Sequence, residues 1–153
     1  MRRAGVRATR AKITVCNLQR IVPVNVVALD QFATRALPLC LRIRKGKPTD
    51  LTKLREICVL LVSDRRMASL HRQFLHEAGP TDVLTFQHGE IFISAETARR
   101  HARRFGNSLA QELRLYVVHG LLHLHGFDHR NEIEAAKMET MQARILRRAV
   151  RLN

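Results

Sequence analysis

The chain has 153 residues, 46% of them hydrophobic, which is enough for one domain with a proper core and excludes wholesale disorder. No apolar run approaches the roughly 18 residues that span a bilayer, so a soluble protein without a membrane partner is expected. Lysine and arginine number 27 against 13 acids, a net charge of +14 whose self-repulsion a polyanion would relieve. Nucleic acid is the first expectation and an anionic membrane surface the second.

Arg2, Arg3, Arg7, Arg10 and Lys12 precede the first acid, Asp30. Residues 1–11 read as a short basic arm in front of a single domain, rather than a cleaved leader. Lys12 to Leu18, with its β-branched residues, reads as an opening strand, and Pro23 as a turn. From Val26 to Arg42 the apolar positions Val27, Leu29, Phe32, Ala36 and Leu39 predict an amphipathic helix. Gly46 to Asp50 reads as a loop. Cys16, Cys40 and Cys58 are odd in number and widely spaced, and read as buried, reduced thiols of a cytoplasmic protein.

Glu56 to Val62 is the most hydrophobic strand and is expected near the middle of a sheet. Ser63 or Asp64 can cap the helix that follows, with Met67, Leu70, Phe74 and Leu75 as its buried stripe and Gly79-Pro80 as its stop. Val83 to Phe86 and Glu90 to Ser94 predict a hairpin about a Gln-His-Gly turn. Ala95 to Phe105 predicts a helix with Ala98, Ala102 and Phe105 inward and Arg99, Arg100, Arg103 and Arg104 outward. Those like charges at four-residue spacing make that face a candidate for an RNA backbone, as well as an ordinary solvated surface. Ser108 to Gln111 is a capping box, opening a helix that is mostly apolar from Glu112 to Leu122. Glu132 to Leu152 closes the chain as a helix with Met138, Met141, Ile145 and Ala149 on one side. The whole reads as one α+β domain.

The chemistry concentrates in His119-Gly-Leu-Leu-His123-Leu-His125-Gly126-Phe127-Asp128-His129. His119 and His123, four apart, fall on one face of a helix. Gly126 supplies a left-handed stop, and His129 follows on the returning chain. Two ligands on a rigid turn and a third beyond it can converge on one ion, the pattern of a catalytic zinc site with an open fourth position. His125, two past His123, points elsewhere and reads as a cap or a residue behind the ligands. Asp128 reads as a fourth ligand, as a group fixing an imidazole tautomer or orienting the attacking water, or as an ordinary turn aspartate; orienting water is the assignment taken forward. The residue after His119 is Gly120, where a zinc protease of the familiar helical type carries its glutamate base. That argues against peptide hydrolysis and toward an RNA phosphodiester, which also suits the charge.

Residues 119–129 resemble the signature of the YbeY endoribonucleases, His-Gly-x-Leu-His-Leu-x-Gly-Tyr/Phe-Asp-His. Pro80-Thr81-Asp82-Val83-Leu84-Thr85-Phe86 is similar to that family's Pro-Thr-Asp-Val-Leu-Ser-Phe, Gly89-Glu90-Ile91 to its Gly-Asp-Ile, and Asn17-Leu18-Gln19 to its opening strand. The resemblance covers roughly residues 13 to 146. It implies a zincin-like α+β fold, a small mixed sheet packed by helices with a buried central helix carrying the ligands. It further implies one zinc on His119, His123 and His129, and single-strand-specific cleavage of RNA in small-subunit ribosomal RNA maturation and ribosome quality control, with the ribosomal subunit a possible partner. Location would be cytoplasmic in bacteria and mitochondrial or plastid in eukaryotes. The family's Asn-x-x-Tyr-Arg segment aligns with His71, Phe74 and Leu75, so its arginine is missing, with Arg72 nearby. The loop from Phe86 to Gly89 is short for the family. Two other readings stay open: a non-catalytic RNA-binding assembly protein with a closed structural zinc, and a metallohydrolase of another substrate class.

Overall fold

The computed structural model describes residues 10–75 and 82–151. Arg2, Arg3 and Arg7 of the basic arm, the Gly79-Pro80 stop, Leu152 and the side chain of Leu75 lie outside the described residues. Strands β1 (Lys12–Asn17), β2 (Glu56–Val62), β3 (Val83–Phe86) and β4 (Glu90–Ser94) form one sheet in the order β1-β2-β4-β3. β1, β2 and β4 run parallel, and β3 returns antiparallel to β4 as the expected hairpin. β2 sits between two partners, as its continuous apolar run requires of an interior strand.

Helices α1 (Val26–Leu41), α2 (Asp50–Lys53), α3 (Asp64–Leu75), α4 (Ala95–Phe105), α5 (Leu109–Leu124) and α6 (Glu132–Arg151) complete a mixed α+β domain. Ile13, Val15, Ile57, Val59, Leu61, Ile91 and Ile93 pack from the sheet onto Phe32, Leu37, Val117 and Leu121 of α1 and α5. On the opposite face, Met67 and Leu70 of α3 form a smaller cluster with Val62, Leu84 and Phe92, against which Leu60 and Phe86 also pack. Ser63 Oγ accepts the Arg66 N–H at 3.2 Å and so caps α3. The outer edge of β1 is blocked by α1, where Asp30 Oδ1 accepts the Val15 N–H at 2.9 Å.

Several expectations need correction. Val27 is 68% exposed, because it lies about 200° round α1 from Leu29 and falls off the buried stripe. Phe74, 51% exposed, leans edge-on against the Phe86 ring instead of entering the core. Phe105, 63% exposed, sits at the end of α4 between the His101 ring and the Arg104 guanidinium. Cys16 is exposed and Cys58 half-buried, with their sulfurs 4.0 Å apart; only Cys40 is buried, which raises its thiol to about 12. The expected loop over residues 46–50 ends in the short helix α2, capped by a reciprocal Thr49–Thr52 pair.

Candidate metal centre

α5 opens on the expected capping box, Ser108 accepting the Gln111 N–H while Gln111 reaches back to Ser108 N. Its sheet-facing side includes Gly120, where an added Cβ would lie 2.7 Å from Cγ2 of the fully buried Ile91. A glutamate in that place has no room, which is a structural reason for the absent protease base. The helix stops as the sequence predicts: Gly126 takes φ +85°, its N–H donates to His123 O at 3.1 Å, and the Phe127 N–H donates to Leu122 O at 3.0 Å. These paired bonds satisfy the last carbonyls and swing the chain back over the helix end.

That reversal brings three imidazoles together. His119 and His123 have ring centroids 4.6 Å apart and Nε2 atoms 3.0 Å apart. The His129 ring lies 5.8 Å from His119 and 5.1 Å from His123. One nitrogen of each falls within 4.8 Å of the others, the one such group of potential ligands among the described residues. His119 Nδ1 donates to Oε1 of Gln142, on α6, at 2.9 Å, which leaves Nε2 with its lone pair toward the cluster. His123 is hydrogen-bonded to the backbone of Phe127. Burial, and the neighbouring imidazoles, push His123 down to about 4; burial also lowers His119, against the opposing pull of Gln142 and the Asp82 carboxylate. Neutral rings are the ligating form of histidine. Three imidazole nitrogens with no thiolate fit a borderline divalent ion such as zinc.

The histidines open into a cleft of about 400 Å³ walled by Asp50, Asp82, Val83, Thr85, Gln87 and Leu124. In the sequence Asp82 is only a letter of the Pro-Thr-Asp motif, with no role attached, yet its carboxylate acts on His119. Its position at the head of the β3 edge is the signal that could have found it. Asp50, in what reads as a plain loop, and Gln142, one more polar residue on an exposed-looking helix, leave no local signature at all.

Asp128 does not line the cleft. Its Oδ1 accepts the His129 N–H at 2.8 Å and its Oδ2 pairs with Arg130 at 2.6 Å, bonds that hold its carboxyl below the usual range even though what little burial it has acts the other way. His125 is 2% exposed and faces away from the cluster, with Nε2 donating to Ile43 O at 2.7 Å and Nδ1 paired with Thr49 Oγ1 at 2.8 Å. Neither is placed as a fourth ligand. The arginines of α4 also stand away from the cleft lining. Arg99 is half-buried, Arg103 and Arg104 are exposed, and Arg100 is bound to Asp64 at 2.6 Å, an acid contributed by α3 that a reading of α4 alone could not see. Arg72 is exposed on α3.

Residues 14–150 match the family model described as Endoribonuclease YbeY. The chain belongs to the YbeY family. A protein named Endoribonuclease YbeY from Synechococcus sp. (strain CC9605) is 42% identical over 100 residues, covering 56% of this chain and 60% of that relative. Its namesake from Thermobifida fusca (strain YX) is 36% identical over 110 residues, covering 61% of this chain and 71% of the relative. This chain therefore matches only 60% of the length of the Synechococcus YbeY protein. The solution structure of TM1509 from Thermotoga maritima superposes with a TM-score of 0.61 at 26% identity, covering 90% of this chain and 88% of that one. No helix of the described residues is long and apolar enough to cross a membrane.

Proposed function

We propose that the chain is a metal-dependent endoribonuclease that cuts single-stranded RNA in small-subunit ribosomal RNA maturation and ribosome quality control. One zinc ion per chain, a zincin-like arrangement of sheet and ligand helix, a cytoplasmic location and a single domain behind a basic arm of residues 1–11 belong to the same reading. The observation that carries it is the convergence of His119, His123 and His129 on one point at the mouth of a polar cleft. The endoribonuclease name of its relatives and the charge of +14 support RNA as the substrate.

His119, His123 and His129 would hold the ion, which when bound supplies a Lewis acid beside the scissile phosphate and offsets charge building on its oxygens. Gln142 keeps the His119 proton on Nδ1. Asp128 acts as a positioning residue, fixing the backbone of His129 through the His129 N–H. Of the two cleft-wall carboxylates, Asp50 and Asp82, it is Asp82 that acts on His119, and the task of orienting the attacking water is proposed for it in place of Asp128. A closed, four-ligand structural site finds no support, since both nitrogens of His125 are engaged elsewhere.

The deciding experiment is cleavage of a defined single-stranded RNA by the purified chain, with chelator, with zinc restored, and with His119→Ala run in parallel. Cleavage lost in the chelated and His119→Ala samples and regained with zinc supports the reading. Equal cleavage in all of them removes the metal from the mechanism, and no cleavage in any refutes the nuclease.

A further inference from the structure

The segment joining α1 to α2 carries Arg42, Arg44, Lys45 and Lys47 with no acid among them. Among the described residues no carboxylate pairs with any of the four. Arg42, Arg44 and Lys47 are exposed. In the sequence Gly46 to Asp50 reads as a plain loop, but the segment is bolted to the ligand-bearing turn. His125 spans its base, holding Ile43 O on one side and Thr49 Oγ1 on the other. Lys45 lays its ammonium 3.9 Å above the centre of the Phe127 ring, and its stem lies against Gly126. His125 lies two positions past His123 and four before His129, so the cations and the imidazoles are tied to one turn. Past Thr49 the same segment supplies Asp50 to the wall of the cleft. Neither the α4 arginines nor these cations line the cleft itself; what the α4 face lacks is a tie to the ligand-bearing turn, and its Arg100 is neutralised by Asp64.

We propose that this stapled basic segment, and not the arginine face of α4, is the rim along which the phosphates of a single-stranded RNA run into the metal cleft. Arg42, Arg44 and Lys47 grip successive phosphates, and His125 is the positioning residue that sets their distance from the reacting phosphodiester. These interactions are with backbone charge and carry no base specificity. The assignment rests on the nuclease reading for its substrate, though RNA binding tests it independently of cleavage.

The test compares the parent chain with Arg42→Gln/Arg44→Gln/Lys47→Gln and, as a control, Arg103→Gln/Arg104→Gln. All these side chains are exposed, so the fold is expected to survive, and matching melting curves check it. Binding of a labelled single-stranded oligoribonucleotide is titrated over a range of salt in a His119→Ala background. Every phosphate that is no longer neutralised lowers the slope of log affinity against log salt by about 0.7, so the triple variant should lose about 2 while the control stays near the parent. In the active background KM should rise at least about tenfold with kcat within about twofold, the pattern expected when ground state and transition state are weakened alike. An unchanged slope and KM in the triple variant, or a larger loss in the control, overturns the proposal. A parent that binds RNA without cutting it refutes the nuclease instead, and the slopes still decide the present assignment.

Discussion

Gln142 holds the ring of His119 from a helix that contributes no ligand, and that single hydrogen bond fixes which nitrogen keeps its proton. Replacing it with leucine leaves the ring free to rotate or to take the other tautomer. Gln142→Leu should weaken zinc binding by about ten- to a hundredfold with little change in melting temperature, and Gln142→Glu should restore it, as read by competition with a chromophoric chelator. Asp64 is likewise governed by partners outside its own helix. Burial alone would raise its pKa, but Arg100, Ser94 and Thr97 together donate enough to hold it below the usual carboxylate range. A carboxylate depressed in the folded state stabilises at pH values above its unfolded pKa and loses that contribution as pH falls through the folded one. The urea midpoint of the parent should therefore drop between about pH 6 and about pH 3 more than that of Asp64→Asn. A parallel fall in both proteins would mean that other acids dominate.

Among the elements, α5 is the one on which two demands meet, since it must press on the sheet and also present His119 and His123 to the cleft. Gly120 meets the first demand. Gly120→Ala gains about 1 kcal/mol of helix propensity, yet it drives a methyl to 2.7 Å from Ile91 Cγ2, a side chain with no slack. Overpacking of that kind costs about 1–3 kcal/mol, so the variant should unfold at lower urea with an unchanged m-value. Much of this element is legible in the sequence. The Ser108–Gln111 box, the i, i+4 histidines and the Gly126 stop are local signals, each set by residues within a turn of one another. What escapes such a reading is set by distant partners: Asp64 reaching Arg100 from another helix, Ile43 and Thr49 reaching His125, and the end effects that leave Phe74 and Phe105 outside the core. The order β1-β2-β4-β3 likewise depends on pairings between strands that no periodicity within one strand encodes.

For the whole molecule, a charge of +14 on 153 residues is a standing repulsion. Modest salt should raise the melting temperature of the RNA-free chain while weakening its hold on RNA, two opposite trends from one screening effect. A melting temperature that is flat or falls with salt would show that local ion pairs outweigh the net charge. The sheet is guarded at the β1 edge by Asp30, whereas the β3 edge borders the cleft beside the three histidines. The three imidazoles, finally, all come from one short stretch, residues 119–129. A denatured chain keeps that stretch intact and remains a fair chelator. The proposed zinc would then have affinity for both ends of the unfolding equilibrium, and the rise in melting temperature on adding it should fall short of what its affinity for the native chain alone would give.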